Sequence, residues 1–320
     1  MILSYKASMA GPYHIDEGLC CQDAFAIEHG SGRFVHAAVA DGLGSELYSD
    51  IGSAVAAETA VHYCAQHIEE GMPFEEIRQI MKRAMVQACK AVFARAEQDG
   101  HDPDQYDTTL CMCAYDGQSL YYAQSGDSGL VVLQQDGHYR RVTTQQRDAD
   151  GCVFPLCWGP EKWEFGLVEA PVSAVMLMTD GVFEQLCPPI MRKKEPDINI
   201  PLARKFLDRF DCDPDALPEL EGAACAYLEN YPRDYLDDDK TIVVLINTDR
   251  PAAVLVEDYY AAPDWAALRA EAERALWPDR TIDPADADEA VECDIPVKSA
   301  DAAPSEPEGD PEDKTAAPAG

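Results

Sequence analysis

Residues 108–144 read TTLCMCAYDGQSLYYAQSGDSGLVVLQQDGHYRRVTT, in which four short apolar segments are separated by the turns DGQ, GDSG and QDG. Short segments rich in aromatic and β-branched residues, joined by tight glycine-containing turns, are typical of antiparallel strands. This stretch therefore predicts a meander of four antiparallel strands in the middle of the chain.

The chain before the meander predicts one buried strand and two helices. The strand is RFVHAAVADG, at residues 33–42, which is almost continuously apolar until it ends in Asp-Gly. The segments at 49–68 and 73–98 are apolar on one side and charged on the other, as expected of helices that pack on a sheet.

The chain after the meander returns to the same mixture of elements. AVMLMTDG at 174–181 and DDDKTIVVLI at 237–246 predict buried strands, with helices around 202–210 and 217–231 between them. Helices that arrive in pairs, without the regular alternation of a parallel sheet, favour an α+β fold. We expect a layered α-β-β-α sandwich of two antiparallel sheets flanked by helices.

The composition divides the chain into three parts. Residues 1–250 contain no long polar linker and predict one domain. Residues 251–277 predict a short C-terminal helical extension, because apolar side chains recur there at helical spacing. Residues 278–320 predict an acidic disordered tail, since they include almost no large apolar side chains.

Charge and cysteine usage limit the possible partners and compartment. The formal net charge of −34 disfavours nucleic acid and anionic membranes, which bind through clustered Lys and Arg. The twelve cysteines follow no disulfide-like spacing, and the N-terminus does not resemble a signal peptide. We therefore expect a cytoplasmic protein with reduced thiols.

Three aspartates lie at the ends of strongly apolar strands. Asp41 follows HAAVA, Asp180 follows VMLMT, and Asp238 precedes TIVVLI by two residues. If these strands are neighbours, their carboxylates converge at one edge, where repulsion raises their pKa values unless a cation neutralises them. Hard oxygen ligands select Mg²⁺ or Mn²⁺ over softer metals. A single Asp-Gly pair is more often a plain turn.

The ordered series of motifs is more specific than any one of them. The chain contains, in order, CCQDAF, VADGLGS, YDTTL, SGDSG, MTDGV and DDDKTIVVL. This series resembles the type 2C protein phosphatases (PPM-type), which are metal-dependent serine/threonine phosphatases. The resemblance runs from about Gly11 to Asn247 and is greatest to a bacterial branch whose first motif is a histidine followed by Cys-Gln-Asp, here His14 and Cys21-Gln22-Asp23.

The resemblance implies a role for each matching residue at a metal centre with two or three Mn²⁺ or Mg²⁺ ions. Asp41 would bridge two ions, with the carbonyl of Gly42 on the second ion. Asp180 and Asp238 would complete the first site.

The resemblance also implies supporting residues around these ions. Asp23 would hold a metal-bound water, and Asp127 would support a third, looser ion together with Asp180. Thr109 matches a threonine or serine position that lines the site.

The sequence departs from the family pattern at several positions, including GDSG in place of the more usual GDSR and Asp239 in place of asparagine. Leu43 stands where several eukaryotic members carry a histidine, and no arginine lies between Lys6 and Asp23 to bind phosphate. His14 is a candidate substitute that could donate to phosphate. A hydrogen-bonded structural role is the alternative for this histidine.

The resemblance implies a protein serine/threonine phosphatase in which a metal-bridging water attacks the phosphomonoester. Its expected partners are a phosphorylated protein substrate and a cognate bacterial kinase, and we expect a monomer. Two alternatives remain: an inactive phosphatase-fold module that binds a phosphoprotein or regulatory partner, and a two-metal hydrolase of small phosphate esters.

Overall fold

The computed structural model describes residues 1–277, so the predicted tail at 278–320 lies outside the described residues. The strands are β1 (Ile2–Met9), β2 (Asp23–His29), β3 (Val35–Asp41), β4 (Leu110–Tyr115), β5 (Leu120–Ser125), β6 (Gly129–Gln134), β7 (Tyr139–Arg141), β8 (Glu164–Val168), β9 (Val172–Met178) and β10 (Lys240–Asn247). The α-helices are α1 (Pro12–Glu17), α2 (Ser49–His67), α3 (Phe74–Asp99), α4 (Asp180–Leu186), α5 (Ile200–Leu207), α6 (Leu217–Glu229) and α7 (Trp265–Leu276).

The strands form two five-stranded sheets in which every pairing is antiparallel. The first sheet has the order β1-β10-β9-β6-β7, and the second has the order β2-β3-β4-β5-β8. Helices α2 and α3 cover the second sheet, while α4, α5 and α6 cover the first. The predicted α+β sandwich of two antiparallel sheets is confirmed.

The central strands are apolar on both faces because both faces are covered. In β10, Ile242, Val244 and Ile246 pack towards the helices, whereas Val243 and Leu245 pack against the other sheet. Successive side chains of a strand point to opposite faces. A central strand is therefore apolar throughout because its alternate residues belong to two different cores, one beneath the helices and one between the sheets.

The prediction of a single four-stranded meander is wrong. β4 and β5 pair in the second sheet, but β6 and β7 pair in the first. The segment Gly126-Asp127-Ser128-Gly129, which connects β5 to β6, crosses from the second sheet to the first. Turn signals mark where the chain changes direction, but they do not identify the sheet that the next strand joins.

Other sequence-based boundaries also change in the structure. β1 was absent from the predicted elements, although it pairs with β10 from Ile2↔Asn247 to Met9↔Lys240. The strand predicted to run into Asp180 ends at Met178, and Asp180 is the first residue of α4. Asp180 therefore sits at a junction between a strand and a helix, not in the strand itself.

Residues Met1–Ala272 form one compact unit, to which the described residues from Glu273 to Trp277 do not belong. The division at residue 250 between a domain and a helical extension stays a prediction. None of the helices within residues 1–277 combines the length and the apolarity that crossing a bilayer requires.

Packing of α2 against the turn before β4 can be tested with two helical glycines. A Cβ atom on the buried Gly52 would overlap the carbonyl oxygen of Tyr106. We expect Gly52→Ala to lower the free energy of unfolding by about 1–3 kcal/mol, because neither backbone can move apart easily. Urea denaturation measures this change.

Gly222→Ala in α6 is the matched control, since no heavy atom lies within 4 Å of a Cβ at this exposed glycine. Helix propensity alone should then stabilise the variant by up to about 1 kcal/mol. Equal stabilisation by both substitutions would contradict the close packing of α2.

Candidate functional site

The candidate site lies where strand ends from both sheets meet. In the second sheet, Asp23 begins β2 and pairs directly with Asp41 at the end of β3. In the first sheet, Asp180 follows the end of β9 and Asp238 precedes the start of β10. Because β9 and β10 are antiparallel neighbours, the end of one strand lies beside the start of the other.

Three carboxylates form the centre of this site. Asp41, Asp127 and Asp180 each offer one oxygen, and these oxygens lie within 4.8 Å of one another. Asp127 reaches the cluster from the crossover between β5 and β6. Three converging carboxylate oxygens are hard ligands that suit Mg²⁺ or Mn²⁺, so the donor set fits a divalent cation.

Burial and mutual repulsion raise the pKa values of the central carboxylates. Burial is the largest cause that raises the pKa of Asp180 to about 7, and the charges of Asp127 and Asp238 act in the same direction. Burial is also the main reason that the pKa of Asp41 lies well above its ordinary value, followed by the charges of Asp180 and Asp23. A bound cation would stabilise the ionised carboxylates and so offset the effects of burial and of the neighbouring charges on these pKa values.

Asp23 and Asp238 flank the cluster. Thr179 Oγ1 donates to Asp23 Oδ2 at 2.7 Å, which favours the ionised carboxylate, but burial still raises the pKa of Asp23 well above normal. Burial likewise raises the pKa of Asp238, and the neighbouring charge of Asp239 adds to this shift. The site thus collects carboxylates from five separate places in the chain.

The backbone of Asp41 is held by two threonines. The Asp41 N–H donates to Thr109 Oγ1 at 3.0 Å, and the Asp41 carbonyl accepts from the Thr109 N–H at 2.8 Å. Thr108 Oγ1 donates to the same carbonyl at 2.8 Å. Thr109 therefore lies beside Asp41 and contacts its main chain.

Gly42 follows Asp41 in a place where a side chain cannot fit. Its N–H donates to the Gln22 carbonyl at 3.1 Å, and a Cβ atom would lie 2.6 Å from the Ser49 carbonyl oxygen. The close approach of three main-chain segments explains the glycine here. The next residue, Leu43, offers no proton donor on its side chain.

His14 is buried and hydrogen-bonded to a carboxylate. Its Nδ1 lies 2.7 Å from Oδ1 of Asp239. Asp239 also accepts the N–H of Gly11 at 2.7 Å and the N–H of Gln22 at 2.6 Å. Asp239 thereby joins α1 and the segment before β2 to the start of β10, next to Asp238.

Two residues at the site, Arg147 and Glu184, are not among those predicted from the sequence. Arg147 Nη2 lies 2.6 Å from Asp127 Oδ2, 3.0 Å from Asp180 Oδ2 and 3.3 Å from Glu184 Oε1. Glu184 was foreseeable, because it lies one helical turn after Asp180. No local pattern pointed to Arg147, which reaches the site from an irregular segment far from β10 and β3 in the sequence.

The family comparison gives a match over more than half of the chain. A family model described as Protein phosphatase 2C matches residues 10–211 of the 320-residue sequence. No curated protein sequence matches the chain.

Several solved structures share the fold. A bacterial serine phosphatase is similar at a TM-score of 0.52 and 12% identity, covering 80% of this chain and 100% of that one. A C. elegans sex-determining protein is similar at a TM-score of 0.52 and 15% identity, covering 78% of this chain and 65% of that one. PppA, a regulatory component of the type VI secretion system in Pseudomonas aeruginosa, is similar at a TM-score of 0.50 and 15% identity, with 77% and 97% covered. At such identities the likeness shows the fold alone.

The raised carboxylate pKa values predict how the stability of the metal-free protein depends on pH. The pKa of Asp180 is 3.8 ordinarily and about 7 in the folded chain, so the folded state binds the proton more tightly. Stability from this group is fully present below about pH 4 and is lost as the pH rises through 7. In chelator, we expect the free energy of unfolding to fall by a few kcal/mol between pH 5 and pH 8.

Asp180→Asn is the matched control for this titration, because it removes the ionisable group and keeps the side-chain shape. Other groups titrate in both proteins, including the buried His36, whose pKa burial lowers to about 4. The difference between wild type and variant in urea denaturation therefore reports the titration of Asp180 together with its effect on the neighbouring carboxylates. A difference that does not change with pH would contradict the predicted shift.

Proposed function

The chain belongs to the protein phosphatase 2C family, and on this premise we propose that Asp41, Asp180 and Asp238 hold the divalent cations with which it hydrolyses phosphoserine and phosphothreonine in proteins. The family is one of metal-dependent serine/threonine phosphatases, so protein phosphatase activity is the function of this chain at the family level. The observation that carries the proposal is that carboxylate oxygens of Asp41 and Asp180 lie within 4.8 Å of each other, with Asp238 at the adjacent strand end.

We assign the cations as Mn²⁺ or Mg²⁺, because the donors are carboxylate oxygens and include no cysteine or histidine. In this proposal Asp41 and the Gly42 carbonyl would help to hold the ions, together with Asp180 and Asp238. When bound, the ions supply an activated water as nucleophile and neutralise charge that develops on the phosphate.

The protein's own groups fix the geometry around the ions. Thr108 and Thr109 hold the main chain of Asp41 on both sides, so its carboxylate has little freedom to retreat from its neighbours. Thr179 orients Asp23 through a 2.7 Å hydrogen bond, which suits the proposed role of Asp23 in positioning a water. Asp239 anchors the backbone next to Asp238.

The substrate class and the setting follow from the same reasoning. Family membership implies a phosphorylated protein as substrate. We propose that a bacterial serine/threonine kinase produces this substrate, that the enzyme acts as a monomer, and that it works in the cytoplasm. Free cysteines throughout the described residues and the strongly acidic composition suit a reducing compartment and a soluble, non-membrane setting.

Metal-dependent hydrolysis is the direct test. Wild-type protein with Mn²⁺ should hydrolyse para-nitrophenyl phosphate and a phosphothreonine peptide, and a chelator should stop both reactions. We expect Asp41→Asn and Asp180→Asn to lower kcat/KM by about a thousandfold or more, since each removes a metal ligand that contributes several kcal/mol to the barrier reduction.

Asp136→Asn is the matched control for these substitutions. Asp136 also precedes a glycine, but it lies exposed in the turn between β6 and β7. This variant should retain full activity. Hydrolysis of the small ester alone would indicate a small-molecule hydrolase, and binding of the peptide without turnover would indicate an inactive recognition module.

His14 tests the binding of the substrate phosphate. In the protonated ring both nitrogens of His14 are donors, so that Nδ1 would donate to Asp239 and Nε2 to phosphate. We expect His14→Gln to raise KM for the phosphopeptide by about tenfold, the effect of losing one charge-assisted hydrogen bond. Unchanged KM together with a lower melting temperature would restrict His14 to a structural role.

A further inference from the structure

A single nitrogen of Arg147 is surrounded by three carboxylates. Its Nη2 contacts Asp127 at 2.6 Å, Asp180 at 3.0 Å and Glu184 at 3.3 Å. Arginine usually pairs with a carboxylate through two parallel hydrogen bonds. Here one end of the guanidinium group sits among several acidic oxygens, in the way that a small cation does.

The ionised form of Asp127 is stabilised by its contact with Arg147. Its side chain is only 1% exposed, and within residues 1–277 neither of its oxygens accepts a hydrogen bond of good geometry. An isolated buried carboxylate is costly to ionise. Burial raises the pKa of Asp127, and the charge of Arg147 is the largest influence in the opposite direction.

The two residues before Arg147 are hydrogen-bonded to two different parts of the site. Gln146 accepts the N–H of Gly126 through Oε1 at 3.1 Å, and its own N–H donates to the Gly126 carbonyl at 3.1 Å. Gln145 Nε2 donates to Glu184 at 3.0 Å. Residues 145 and 146 thus attach the segment to α4 and to the crossover that carries Asp127, so the position of Arg147 is built into the local fold.

A divalent ion and the Arg147 guanidinium cannot share the corner between Asp127 and Asp180. Mg²⁺ and similar ions need carboxylate oxygens at about 2.0–2.6 Å, and they repel a neighbouring positive charge. An ion that bound both aspartates would have to displace Arg147 and separate its pair with the buried Asp127. The ion would therefore have to compete with a positive charge that already compensates the buried Asp127.

We propose that Arg147 is a built-in cation that takes the place of a third metal ion between Asp127 and Asp180. The chain then operates with two bound ions, and its third positive charge comes from the protein. This inference rests on the proposed function, and it replaces the third ion that the family resemblance implied.

Counting bound ions tests the proposal without using activity. Isothermal titration of the full-length, metal-free chain with Mn²⁺ should give two ions for wild type and an additional, weaker ion for Arg147→Gln. Asp127→Asn in the Arg147→Gln background should abolish the additional ion. Arg147→Lys keeps the positive charge and should bind the same number of ions as wild type.

Arg192→Gln is the matched control. Arg192 donates to Gln145 in the same region at 3.1 Å and has no ion pair with Asp127 or Asp180. Arg192→Gln removes one positive charge, as Arg147→Gln does, and should leave the number of bound ions at the wild-type value. Circular dichroism of every variant confirms that the ion counts refer to folded protein.

The outcomes separate this proposal from the proposed function. If wild type and Arg147→Gln bind the same number of ions, or if wild type already binds three, the role of Arg147 is refuted while the phosphatase stands. If wild type binds no Mn²⁺ and does not hydrolyse phosphoesters, the proposed function itself fails, and the inference with it.

Discussion

Repulsion among buried carboxylates is the constraint on which the site depends. Burial raises the pKa of every aspartate in the group, which comprises Asp23, Asp41, Asp127, Asp180 and Asp238. A flexible protein would relieve this repulsion by moving the side chains apart. Here the aspartates are attached to strand ends of two packed sheets, whose central strands are fully buried, so separation would require the sheets to deform. Positive charge must come to the site instead.

The surrounding hydrogen bonds act mainly on the backbone next to the aspartates. Thr108 and Thr109 bind the main chain of Asp41, and Asp239 accepts two backbone N–H groups beside Asp238. Holding the backbone leaves the carboxylate oxygens available for ions. Side-chain hydrogen bonds reach two of these carboxylates: Thr179 donates to Asp23 at the edge of the central cluster, and Arg147 donates to Asp180 within it.

The sequence allowed the layered fold and the strand-end aspartates to be predicted, because both depend on local patterns. Apolar runs that end in Asp-Gly mark buried strands whose last residue reaches an edge, and this holds for Asp41. Pairing between distant strands is not local, which is why the crossover at Gly126-Asp127 was read as a hairpin turn. β1 did leave a signal, since Leu3, Tyr5 and Ala7 are buried and alternate with polar residues, but a strand of this length is hard to distinguish from an irregular N-terminus.

Arg147 shows why the basic groups of such a site are harder to predict than the acidic ones. Most of the aspartates lie at or next to strand ends, which apolar runs mark in the sequence, whereas a long arginine side chain can reach the same point from any nearby segment. The global charge of −34 gives no guidance, since charges farther away than about 8 Å are screened at physiological ionic strength. Attraction of a phosphate group therefore depends on the few cations inside that radius. No arginine precedes Gln22-Asp23 in this chain, but Arg147 supplies a positive charge to the site from the segment after β7. This requires no change in the two sheets.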